Sequence, residues 1–192
     1  MHTVTDPRPL LARAAGQLER LIAAVPADAL DAPTPCEEMD VRALIAHLVG
    51  GADAGAAVGE HGEDVALIPA TGVPDGGWGA EFARARARLA AAWADDAKLD
   101  MPITVPWGEM PGSAYLASGC VLEMAAHAWD LSRALGEPLP LDQELGEYAL
   151  EWARRALAAD RRGEGVPFAP VRPAPEGADA YGRLTAWLGR KV

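Results

Sequence analysis

The chain has 192 residues, half of them apolar, with 28 acidic against 17 basic side chains and a net charge of −11. That length supports one domain with a sizeable core, and the acidic balance, with no long Lys/Arg cluster, excludes a phosphate-tracking stripe and so nucleic acid as a partner. An apolar fraction dominated by Ala and Leu, with 6% aromatics, favours packed helices over a β-sandwich.

The opening residues lack the charged-then-apolar layout of a signal peptide. A first helix is predicted from about Asp6 to Val25, because Asp6-Pro7 supplies a cap and a first-turn proline, and Leu10, Leu11, Leu18, Leu21, Ile22 and Val25 recur at helical spacing before Pro26 stops it. A loop from Asp31 to Cys36 leads to Asp40, a good N-cap, after which Val41, Leu44, Ile45, Leu48 and Val49 form the apolar stripe of a second helix carrying His47. Gly59 to Gly79, rich in Gly, Pro, Asp and Glu, predicts an exposed connection that holds His61. A third helix follows from about Ala80 to Ala94, anchored by Phe82, Leu89 and Trp93. Met101 to Pro111 reads as an extended, proline-broken connector with a short edge strand at Ile103 to Val105.

A fourth helix is predicted from about Ser113 to Leu135, closed by Gly136, with Glu123 and His127 in its middle. A fifth begins at Asp142, carries Leu145, Tyr148, Ala149, Trp152 and Leu157, and gives out near Asp160 to Gly163. The tail from Val166 to Pro175 is expected to be extended, and Tyr181 to Leu188 to form a last short helix. No internal repeat or low-complexity linker divides the chain, so residues 1–192 are expected to form a single domain. Nowhere do apolar residues run uninterrupted for the roughly 20 positions that cross a bilayer. A cytoplasmic chain with no membrane partner is expected, its Cys36 and Cys120 being free thiols in a reducing compartment.

Glu123 and His127 are four residues apart, so a helix turns about 400° between them and sets both side chains on one face. His47, flanked by Ile45, Leu48 and Val49, lies on a helix that packs against the same core. Two imidazoles and a carboxylate are a ligand set suited to zinc, with the fourth position left for water or substrate. The same residues are also compatible with a hydrogen-bonded core histidine and an intrahelical Glu–His pair. Cys120 shares the helix face of Glu123 and His127, either at the rim of such a site or as a small core residue, and Cys36 is expected to be packed. Asp130 is placed to pair with Arg133 or Arg42, or to orient an imidazole. Trp107 and Trp129 are candidates for a pocket wall or for the core, and His2 and His61 for exposed bystanders.

In order and spacing, Thr34-Pro-Cys36, Asp40-Val-Arg42, His47-Leu-Val-Gly50, Val105-Pro-Trp-Gly108, Glu123-x3-His127-Ala-Trp-Asp-Leu-Ser-Arg133 and Leu135-Gly136 resemble one family. It is that of the actinobacterial metal-binding proteins of the DinB-like superfamily, related to the metal-binding domain of mycothiol-dependent maleylpyruvate isomerase. The resemblance runs from about residue 6 to the C-terminus, and its most specific element is the His-Ala-Trp-Asp-Leu run. It implies an all-α, DinB-like four-helix bundle with an additional C-terminal helix and extended tail, holding a divalent metal, zinc by preference, through His47, Glu123 and His127. Met39 stands where the family often has Trp, and the isomerase's extra C-terminal domain is expected to be missing.

The chemistry this resemblance implies is thiol activation, with mycothiol as co-substrate and a small electrophile as partner, leading to S-transfer or isomerisation. A metal-dependent hydrolase or lyase is an alternative, although no unpaired Glu or His beside the motif offers a general base. A non-catalytic bundle that binds metal or a small ligand is another.

Overall fold

Helix α1 (Arg8–Ala23) starts at Pro7 and turns Leu11, Leu18, Leu21 and Ile22 inward. The computed structural model to which it belongs describes residues 6–106, 108–136, 139–159, 162 and 168–191. His2 and Trp107 lie outside the described residues, as do Asp160, Arg161 and Gly163 near the expected end of the fifth helix.

Helix α2 (Val41–His61) is capped by the Asp40 carboxylate, which accepts from the Ala43 amide at 2.8 Å. It runs three residues into the stretch expected to be an exposed connection, so His61 is its last residue, with the side chain 69% exposed. Glycines along this helix, Gly59 of the expected loop among them, serve as close-packing sites. A Cβ at Gly59 would lie 2.6 Å from Nε1 of Trp93, and one at Gly50 would lie 2.2 Å from the Ile68 carbonyl oxygen. Trp93 is fully buried there and donates its indole N–H to the Gly55 carbonyl at 2.9 Å. In length and composition α2 could cross a membrane, but 61% of its most apolar window is buried inside the protein. Its apolarity is therefore met by the core.

Helix α3 (Trp78–Ala92) lies against α2 and α1, burying Phe82, Ala85 and Leu89. Its arginines bridge to both neighbours, Arg84 to Asp53, Arg88 to Glu60 and Arg86 to Glu19. Such exposed pairs add little stability individually. The expected edge strand is one half of a hairpin: β1 (Pro102–Val105) pairs antiparallel with β2 (Gly108–Pro111), which sequence patterning did not reveal. Ile103 and Val105 point into the core from it.

The expected fourth helix is three segments in series: α4 (Gly112–Tyr115), a π-helical turn (Leu116–Val121) and α5 (Leu122–Ala134). Helix α6 (Gln143–Ala156) ends where Leu157 leaves helical geometry, and α7 (Ala180–Trp187) packs on it. Buried Gln17 of α1 ties the two halves together: its amide donates to the Tyr181 hydroxyl at 2.8 Å, and its carbonyl accepts from the Asp142 amide at 2.7 Å.

Helix α5 divides the core. One face packs Met124, Ala128 and Leu131 against α1, α2 and α3. The other packs Leu122, Ala125, Ala126 and Trp129 against α6 and α7. The result is the all-α, DinB-like helical bundle with an extra C-terminal helix. Each fully buried Leu in it contributes roughly 1.5–3 kcal/mol.

Candidate metal centre

The stripe that buries Leu44, Ile45 and Leu48 of α2 sets His47 at the edge of the core, its side chain 20% exposed. The four-residue step on α5 brings Glu123 and His127 to the same place. Glu123 Oε1 lies 2.9 Å from His47 Nε2 and 3.1 Å from His127 Nε2. The two imidazole rings are 4.9 Å apart and meet edge-on at 76°. The structure thus brings together the three residues selected from the sequence, with their ligand atoms all within 4.8 Å of one another.

The turn that delivers Glu123 is wider than α-helical. The Leu122 amide bonds back to the Ala117 carbonyl, five residues earlier, and the helix resumes one residue before Glu123. Single π-turns of this kind often adjoin functional sites. The run of small residues Ala117-Ser118-Gly119 is the signal for it in the sequence, since such pairs mark helix irregularities.

Behind the site, His127 Nδ1 lies 2.9 Å from Asp130 Oδ2. Asp130 is completely buried, and it also accepts from Arg190 Nε at 3.2 Å and Nη2 at 3.1 Å. This corrects the expected pairing. Arg133 is drawn over the Trp129 ring, 5.2 Å from its centre, and Arg42 pairs with Asp31 and Asp75. Asp130 instead orients the imidazole, and Arg190, which sequence reasoning missed altogether, neutralises it from 60 residues away.

A carboxylate only accepts, so His127 donates from both nitrogens and carries a positive charge. Burial opposes that charge but is outweighed by the Glu123 carboxylate and by the hydrogen bonds from Asp130 and Glu123, which together push His127 up to about 9. Burial likewise opposes the Glu123 charge, yet the two imidazoles hold its carboxyl far below the ordinary range. Protons shared between two Nε2 atoms and one carboxylate oxygen mark where a cation fits, since it meets the same lone pairs.

Cys36, His127 and Asp130 form a second cluster of metal-ligating type on the Nδ1 side of the ring. There the donors are already engaged. Nδ1 is bonded to Asp130, Asp130 is neutralised by Arg190, and burial pushes the half-buried Cys36 thiol up. Cys120 is buried, and burial followed by the charge of Glu123 pushes its thiol up to about 12. It is a wall residue outside both clusters. Trp129 belongs to the core between α5, α6 and α7, and Met39 packs half-buried against the main core.

On its open side the triad adjoins a cavity of about 280 Å³ bounded by α2, the loop after it and the Tyr115–Met124 segment. The loop is pinned across α2 by a hydrogen bond from the Ala70 amide to the Ala46 carbonyl at 3.0 Å.

The sequence profile of the mycothiol maleylpyruvate isomerase N-terminal domain matches residues 11–132. Two uncharacterized proteins of Mycobacterium tuberculosis, from strains CDC 1551 and H37Rv, are each 36% identical over 186 residues, covering 96% of this chain and 98% of the relative. The crystal structure of a histidine-to-alanine mutant of the mycothiol-dependent maleylpyruvate isomerase superposes with a TM-score of 0.62 at 18% identity, over 82% of this chain and 69% of that one. This last likeness is one of fold.

Proposed function

Because the chain belongs to the family of mycothiol maleylpyruvate isomerase N-terminal domains, we propose that it is a metal-dependent enzyme. In this reading it activates a low-molecular-weight thiol of the mycothiol type towards a small electrophile, by S-transfer or isomerisation. The observation that carries the proposal is the convergence of His47 Nε2, Glu123 Oε1 and His127 Nε2, with His47 and Glu123 opening onto an accessible cavity.

These three side chains would hold a divalent cation, and their donor set favours zinc. When bound, it would supply the positive charge that stabilises a thiolate at neutral pH. Asp130 fixes the ring of His127 so that Nε2 meets Glu123, and Arg190 keeps Asp130 in place. The apolar wall of Leu48, Ala52 and Met124 limits water beside the reacting groups. Cys120, kept protonated by its burial, does not compete with an incoming thiol.

The test is a thiol titration of cobalt(II)-loaded protein with mycothiol, or with simpler thiols as stand-ins. A charge-transfer band in the near ultraviolet should grow and saturate at one thiol per metal. Cys120→Ser serves as the control, because a band present before any thiol is added would mean that a protein cysteine supplies the sulfur. If small anions change the spectrum and thiols do not, a water-activating hydrolase or a non-catalytic binding role replaces this reading.

A further inference from the structure

The wall of the cavity beyond the triad has a chemical character of its own. Helix α2 and the Tyr115–Met124 segment run antiparallel, so that His47 meets Glu123 at one point of the seam and Gly55 meets the Cys120 sulfur farther along. Leu48, Ala52, Leu67 and Met124 line the cavity, as does Tyr115, whose ring stacks on Trp93 at 6.0 Å and 15°. Burial pushes the Tyr115 hydroxyl far above the ordinary phenol range, which keeps it a neutral hydrogen-bond donor. The carboxylates of Asp64 and Glu123 lie on the wall beside the His47 ring, and among the described residues no Lys or Arg lines it.

Size and charge both select a ligand. An apolar cavity of roughly 150 Å³ holds benzene, so about 280 Å³ accommodates one substituted ring or a short chain. A carboxylate entering here would give up hydration without meeting a guanidinium or ammonium partner, and would face Asp64. A divalent cation on the triad would offer a carboxylate a separate site of attraction, so the selection made by the wall itself is read on metal-free protein.

We propose that the electrophile admitted to this cavity is an uncharged, largely apolar small molecule with an acceptor oxygen for the Tyr115 hydroxyl, and that dicarboxylates are excluded. The word electrophile rests on the thiol-activation reading above; the selection against charge does not.

Dimethyl succinate and succinate isolate charge at similar size, and neither alkylates Cys36 or Cys120. Each is titrated into the purified protein after chelation, and binding is followed by tryptophan fluorescence and by the methionine methyl resonances. The diester should give a saturable change, with succinate at least tenfold weaker. Asp64→Lys, at an exposed loop position, should narrow that gap by strengthening succinate. Gly119→Leu, which grows a side chain into the cavity from an exposed helical position, should abolish diester binding while circular dichroism stays that of wild type. Succinate binding as tightly as the diester, diester binding that survives Gly119→Leu, or no binding of either overturns the proposal. No thiol takes part, so a failed thiol titration and a failed ester titration are separate results.

Discussion

Replacing Arg190 with Met should weaken metal binding without removing a ligand. The guanidinium forks onto the fully buried Asp130 carboxylate at 3.1 and 3.2 Å, with its own side chain 12% exposed. At an effective dielectric of about 20, a 3.1 Å pair has a gross attraction of about 5 kcal/mol, and removing one partner of such a pair typically costs about 3–5 kcal/mol. In the metal-free protein the His127 imidazolium still faces Asp130 at 2.9 Å, so the loss should be about 2 kcal/mol there, below the usual range for an orphaned charge. A cation held on Nε2 would take the place of the proton there, so that the aim of the ring would depend on its Nδ1–H bond to a fixed Asp130. The extra loss in the loaded state should be about 1.4–2.7 kcal/mol, which is the 10–100-fold drop in metal affinity expected of a residue that orients a ligand. Arg190→Lys should recover part of it through the charge while lacking the fork. Urea unfolding of metal-free and loaded protein, with chelator competition for affinity, measures both quantities. An affinity within twofold of wild type, or equal destabilisation in both states, would refute the coupling.

Metal loading at pH 7 should release close to one proton, because His127 holds its proton up to about 9 in the metal-free protein; apparent affinity should therefore rise about tenfold per pH unit until pH nears that value. The same raised value means that the pair's contribution to metal-free stability is complete below about pH 6.5 and is lost as pH rises through about 9. Calorimetry in buffers of different ionisation enthalpy counts the protons, and a count of zero would contradict a charged His127. Gly59→Ala puts a Cβ 2.6 Å from the fully buried Trp93 ring and should cost about 1–3 kcal/mol, whereas Gly76→Ala, with nothing within 4 Å, should change unfolding by less than about 0.5 kcal/mol. Iodoacetamide should modify half-buried Cys36 before Cys120, which is buried and pushed up to about 12; mass spectrometry of the native protein showing Cys120 labelled first would count against the buried wall.

What was legible in the sequence divides along the line between local and non-local physics. The Glu123–His127 pair follows from helical periodicity alone, and the apolar stripe around His47 implies a helix face that meets the core. The helices themselves emerge to within a few residues because caps and prolines act locally. Local rules mislead where small residues have two uses. The glycines of α2 suggested a loop at its end, yet Gly59 sits inside the helix because Trp93 needs its missing side chain. The π-turn before Glu123 has only a run of small residues to announce it, and β2 depends on pairing with β1 rather than on its own composition.

Asp130 shows the division at a single residue. Three positions from both His127 and Arg133, it has two equally local partners, and the choice between them is made elsewhere. Trp129 takes the Arg133 guanidinium through cation–π contact, and Arg190 arrives from beyond α7 to meet the buried carboxylate. The matched family profile ends at residue 132, so Arg190 lies outside it. The C-terminal segment therefore does more than cover the bundle. It completes the charge balance behind His127, where the fully buried Asp130 carboxylate is held ionised by the His127 ring and by Arg190 together.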